Sequence, residues 1–133
     1  MYDSKLERKF HTEWKKTTKT PLITQHKFHP TRQWRFDFAH TSTLTAIEIQ
    51  GYGEGHTNYE GMASDYEKHN EAIRFGWVIL YIMSHDISER KIKKTIRYIL
   101  DILKDRPVTT QKQLRPKPPR SLYDELVNKL LDP

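Results

Sequence analysis

Two carboxylates in this sequence stand where a strand would ordinarily carry apolar residues. Asp37 lies between Phe36 and Phe38, and Glu48 lies between Ile47 and Ile49. Asp and Glu are depleted in strands. Period-two alternation turns Asp37 away from Phe36 and Phe38, and Glu48 away from Ile47 and Ile49. If the two segments are neighbours, both carboxylates can emerge at one end of one sheet. Two carboxylates that close repel and raise each other's pKa unless a cation sits between them. Mg²⁺ takes oxygen ligands and keeps several waters. Such a site can activate water and offset the charge that builds on a phosphodiester. Phosphodiester hydrolysis is the reaction this pair suits. The plainer alternative is two solvent-facing strand residues.

Further groups lie close by in sequence. Gln50 follows Glu48 by two residues; its amide can position water but carries no charge. Lys68 could supply a cation, or could simply pair with Asp65 at i, i+3 on a helix face. His56 could act as a general base or bind a phosphate, or be a loop histidine with no partner. Asp65 could tune His56 or face solvent. Glu7 lies about 100° around its helix from Leu6, at the rim of an apolar stripe. It could reach the carboxylates or serve as the far end of a Ser4-x-x-Glu7 capping box.

The elements that must position these groups follow from periodicity. Leu6, Phe10 and Trp14 recur at i, i+4 and i+8, which predicts a helix from Asp3 to about Thr17. Three short strands follow, Leu22–Phe28, Trp34–Ala39 and Leu44–Gln50, with turns at His29–Thr31 and His40–Ser42. Short connections predict an antiparallel meander. Gly51–Gly55 is a glycine-rich loop. A second helix from about Asn58 to Phe75 buries Met62, Tyr66 and Ile73 and is stopped by Gly76. The apolar run Trp77–Met83 reads as an interior strand, parallel to one of the first three because a helix precedes it. A third helix, Ser88–Lys104, carries Ile92, Ile96, Ile99, Leu100 and Leu103 on one face. The order is αβββαβα.

Beyond Pro107 the composition changes. Pro107, Pro116, Pro118 and Pro119 are interleaved with Lys112, Arg115, Lys117 and Arg120, a pattern for an extended basic linker. Ser121–Leu131 then repeats Leu122, Leu126 and Leu130 as a short amphipathic helix that needs a surface to dock on. The expected division is 1–106 as one domain and 107–133 as linker and docking helix. The 133 residues include no cysteine, which excludes a disulfide framework and thiolate metal sites and fits a reducing compartment. The longest apolar run has the length of a strand, far below the roughly 20 residues of a membrane helix, so no membrane contact is expected. A net charge of +6 and a sequence pI near 9.5 favour a polyanionic partner. Lys27, Arg32 and Arg35 flank the strands and, with Lys112, Arg115, Lys117 and Arg120, are the expected DNA contacts.

The sequence resembles the phage and bacterial branch of the PD-(D/E)XK, or restriction-endonuclease-like, nucleases. The resemblance rests on Phe36-Asp37-Phe38, Glu48-x-Gln50-Gly51, His56, Asp65-x-x-Lys68 and Gly76-Trp77-x-x-Leu80, and spans about residues 4 to 84. Glu7, Asp37, a variable position, His56 and Asp65 are similar to the Vsr-like nucleases, which include mismatch-repair enzymes and the EDxHD homing endonucleases. The resemblance implies an α/β fold: an αβββαβ core with a mixed central sheet, plus C-terminal helices. It implies Mg²⁺, with Mn²⁺ as a substitute, held by Asp37, Glu48 and the carbonyl of Ile49, with Glu7 joining them. Gln50 stands where the family usually has Lys, which leaves His56 and Lys68 as the helpers. The implied activity is hydrolysis of double-stranded DNA, leaving a 5′-phosphate and a 3′-hydroxyl. The expected enzyme is site-specific and of the homing type, a homodimer or larger homo-oligomer in the cytoplasm of a bacterial or phage-infected cell. A repair or junction-resolving nuclease, or a non-catalytic DNA-binding protein that kept the fold, are the alternatives.

Overall fold

The computed structural model describes residues 4–51, 59–109 and 129–130 of the chain. The first helix, α1 (Lys5–Thr17), begins at Ser4, whose Oγ accepts the Glu7 N–H at 3.2 Å, the Ser4 half of the expected capping box. Phe10 and Trp14 are fully buried and Leu6 packs beside them, as the stripe predicts. The Trp14 indole N–H donates to the Thr20 carbonyl at 2.7 Å, which pins the chain where it leaves the helix.

Strands β1 (Ile23–Lys27), β2 (Arg35–His40) and β3 (Thr45–Gln50) form the antiparallel meander. Helix α2 (Tyr59–Arg74) crosses over to β4 (Val78–Met83), which pairs with β3 in parallel; the sheet order is β1-β2-β3-β4. A parallel neighbour requires such a crossover, which is why the helix before this apolar run predicts its direction. A short 3₁₀ turn at Ser84–Ile87 leads to α3 (Ile92–Asp105). This helix starts four residues later than periodicity suggests: the 3₁₀ turn and the turn after it occupy the approach, and the Ile92 N–H then takes the Ser88 carbonyl. The fold is thus the expected α/β arrangement with a mixed central sheet.

Helices α1 and α3 bury their apolar stripes against one face of the sheet, with Phe38, Ile47 and Ile82 as its contribution. A smaller cluster of Phe36, Ala39, Ala46, Ala72 and Trp77 lies on the α2 side. Gly76 ends α2 in a Schellman turn. Its φ is +87°, its N–H meets the Ile73 carbonyl, and the Trp77 N–H meets the Ala72 carbonyl, both at 2.9 Å.

Three sequence expectations are corrected. Met62, Tyr66 and Ile73 are not the buried side of α2; they are 43%, 62% and 57% exposed. The helix turns Gly61, Lys68 and Ala72 inward instead, because small residues let it approach the sheet and Lys68 pairs with a buried carboxylate there. Second, β4 is an edge strand and not an interior one, with Tyr81 and Met83 exposed. Third, Phe36 and Phe38 do not share a face: they belong to the two opposite clusters, so the alternation of β2 breaks at Asp37. The linker and docking helix lie outside the described residues, apart from residues 107–109 and the helical, exposed pair Lys129 and Leu130. No described helix is long and apolar enough to cross a membrane.

Candidate active site

The break in β2 builds the site. The Cα pairing of β2 with β3 runs from His40 opposite Thr45 to Phe38 opposite Ile47 and stops there. At the next level stand Asp37 and Glu48. The Asp37 N–H donates to Glu48 Oε2 at 3.2 Å, and the Ile49 N–H donates to Asp37 Oδ2 at 2.8 Å. Carboxylates have replaced carbonyls as acceptors for the backbone donors, which keeps those donors satisfied while the strands part. Strand β1 is distorted at the same level: its pairing with β2 skips Gln25, the residue across from Asp37, which has φ +51°. A left-handed backbone costs a non-glycine residue about 1–2 kcal/mol. The Gln25 amide donates to Glu7 Oε2 at 3.2 Å.

Glu48 is 7% exposed. Burial, and then the neighbouring Asp37, push its carboxyl up to about 7, while Lys68 works in the other direction. The Lys68 ammonium is bonded directly to Glu48 Oε1 and lies 5.7 Å from the centre of the Phe36 ring. One carboxylate therefore stands at the edge of protonation near neutral pH beside a second carboxylate and a lysine. That is the position of a group poised to exchange a proton or to accept a divalent cation.

These residues line an open cavity of about 340 Å³. Asp37, Glu48, Ile49, Gln50 and Lys68, all anticipated from sequence, meet there, and Asp65 joins them. His69 and Tyr81 also line it and were not anticipated. The His69 Nδ1 lies 3.0 Å from the Tyr81 hydroxyl with the rings stacked, and burial, then Glu48 and Asp65, raise the Tyr81 phenol. His69 could have been suspected from its place beside Lys68 and four residues after Asp65. Tyr81 could not, because its presence follows from the register that sets Glu48 opposite Tyr81.

Glu7 does not line the cavity. It is buried on the α1 side and touches the site level through Gln25. His56, Lys112, Arg115, Lys117 and Arg120 lie outside the described residues. Lys27 and Arg35 pair across β1 and β2 at the same end of the sheet as the carboxylates. Lys27 bonds Gln33 at 2.9 Å, and Arg32 pairs with Glu67 at 2.6 Å and lies over the Trp34 ring.

Among the described residues no three His, Asp or Glu side chains converge as a ready metal cluster. The donor set nonetheless suits one kind of ion. A buried carboxylate whose charge is disfavoured by burial and by a second carboxylate beside it, with Ile49 also lining the cavity, offers hard oxygen ligands of the sort Mg²⁺ uses when solvent supplies the rest of its shell.

No protein-family model and no curated protein matches the chain. A solved structure does: the catalytic domain of the homing endonuclease I-Bth0305I, with a TM-score of 0.57 over 77% of this chain and 97% of that one. The chain shares its fold with that domain. At 20% identity the likeness is one of fold, and the chemistry must be argued from the residues above.

Proposed function

We propose that this protein is a Mg²⁺-dependent endodeoxyribonuclease of the PD-(D/E)XK type, in its Vsr-like branch, hydrolysing phosphodiester bonds in double-stranded DNA. The observation that carries the reading is the meeting of Asp37, Glu48 and Lys68 where β2 and β3 part. The I-Bth0305I domain, a homing-endonuclease catalytic domain, supports it as a neighbour of the same fold.

Asp37, Glu48 and the Ile49 carbonyl would hold the ion, with Mn²⁺ as a substitute. When bound, it supplies water activation and charge neutralisation at the phosphate. The remaining work falls to the chain. Lys68 Nζ, bonded to Glu48, would offset negative charge on the phosphoryl oxygens. The Gln50 side chain lines the cavity and would orient the attacking water by hydrogen bonding. Glu7 acts as a positioning residue, holding Gln25 in its strained conformation behind Asp37. His56, which follows β3 in the sequence, remains the proposed general base. A homing role and a homodimer that brings two sites to the two strands complete the proposal.

A non-catalytic DNA-binding protein is the second reading, favoured by Gln50 where a lysine is usual. The Lys68–Glu48 pair speaks against it, since Lys68 would stand in for the missing cation from α2.

The deciding experiment is cleavage of supercoiled plasmid and linear duplex with Mg²⁺ or Mn²⁺, beside Asp37→Ala and Glu48→Ala, with calorimetric metal titration of the same samples. Metal-dependent cutting by the wild type alone is expected. A wild type that binds no divalent metal defeats the catalytic reading and leaves the DNA-binding one.

A further inference from the structure

A second cavity, of about 500 Å³, opens along the outer edge of β4, between that strand and the start of α3. Tyr81, on the edge strand, lines both this groove and the carboxylate cavity, so the two adjoin at its side chain. Arg90, Lys91 and Lys94 line its far wall; all three are exposed and have no ion pair among the described residues. Its carboxylate, Asp86, is tied down: Oδ2 accepts the Met83 N–H at 2.9 Å and Oδ1 faces His85 at 3.3 Å. Tyr98, 64% exposed, closes the groove.

The charges are not there for the helix. The first turn of α3 carries no acidic residue, and cations at that end oppose the helix dipole. An exposed apolar edge such as β4 also needs cover. The basic linker of the chain's own tail, with Lys112, Arg115, Lys117 and Arg120, and a second copy paired edge to edge, with its own Arg90, Lys91 and Lys94, both fail as covers on charge. A polyanion fits. On the other side of the carboxylates, Lys27 and Arg35 stand at the same end of the sheet. Strands spaced about 4.8 Å apart put β1 roughly 15 Å from β4, a span comparable to the roughly 12 Å width of the DNA major groove. The site is flanked by cations on both sides at the scale of a duplex.

We infer that the groove between β4 and α3 carries the phosphate backbone of the DNA as it leaves the active site. Arg90, Lys91 and Lys94 meet phosphates, and Tyr98 packs against a sugar or base. The inference rests on the nuclease reading.

The test measures binding of a labelled 30-base-pair duplex to the full chain in EDTA across a salt series. It compares the wild type, Arg90→Ser/Lys91→Ser/Lys94→Ser, and the control Lys15→Ser/Lys16→Ser/Lys19→Ser, which removes the same charge at the opposite end of the sheet. Each phosphate contact contributes about 0.9 to the slope of log affinity against log salt. The groove variant should therefore lose roughly 2 to 3 from the slope and bind more than tenfold more weakly at about 0.1 M salt, with the control near wild type. Hydrolysis of a small phosphodiester, bis-p-nitrophenyl phosphate with Mn²⁺, should be unchanged in the groove variant, and an unchanged melting curve verifies folding. Equal slopes in groove variant and wild type, or an equal loss in the control, overturn the groove while a cutting wild type keeps the nuclease reading. A wild type that binds no DNA overturns both.

Discussion

Replacing Glu48 with Gln should stabilise the metal-free protein at pH 8 while abolishing its activity. The carboxyl has an ordinary value of 4.5 and is pushed up to about 7 in the fold. A folded-state value above the unfolded one means that the native protein binds this proton more tightly. Its contribution is fully present below about pH 4.5 and is lost as pH rises through 7. Each unit is worth about 1.4 kcal/mol, so forcing the buried carboxylate to ionise costs on the order of 3 kcal/mol by pH 8. Glutamine keeps the shape without the ionisation. The difference in unfolding free energy, variant minus wild type, should be small at pH 4.5 and approach that magnitude at pH 8, a rise in Tm of roughly 10 °C. Urea and thermal unfolding of both proteins in EDTA, from pH 4.5 to 8.5, measure it. The comparison cancels the titrating groups that do not interact with Glu48. A pH-independent difference, or a variant less stable than wild type at pH 8, would refute the claim that Glu48 is held in a proton-binding environment.

Other outcomes follow from the same geometry. Mg²⁺ at a hundredfold excess over its dissociation constant should stabilise the wild type by about 2.7 kcal/mol and leave Asp37→Ala unmoved, read as Tm against metal concentration. Lys68→Met should retain metal binding by calorimetry yet lose about a hundredfold or more in cleavage rate, the usual scale for removing a group that stabilises transition-state charge; undiminished cleavage removes Lys68 from the mechanism. Gln25→Gly should relieve the left-handed backbone, but it also removes the amide that bonds Glu7; a cleavage rate reduced without loss of Tm marks Glu7 and Gln25 as positioning residues. Gly76→Ala, which forces a Cβ to φ +87° with Leu44 Cδ1 at 3.4 Å, should cost about 1–2 kcal/mol in urea unfolding.

The sequence by itself determined the order of elements, the faces of α1 and α3, and the identity of the two carboxylates. Those follow from local rules: apolar spacing of 3.6 marks the buried faces, and an acidic residue inside an apolar strand is a visible anomaly. Lys68 was legible as a basic residue on the next helix, though its spacing served equally well for a surface pair with Asp65. Only the tertiary structure decided that it bonds Glu48. The helix between them could have turned either stripe inward, and Met62, Tyr66 and Ile73 looked like the better choice by hydrophobicity alone. Burial of Glu48 beside Asp37 selected the other stripe, because a buried carboxylate without a cation is costly and Ala72 allows close approach. The break in β2 at Asp37 was equally hidden, since alternation is a rule about regular strands and the site exists where regularity stops. Tyr81, and the groove that runs from it past Arg90, Lys91 and Lys94, depend on the register of β4 against β3 and on that strand lying at the sheet's edge. Both are long-range facts, set by how a crossover helix packs, and no local pattern encodes them.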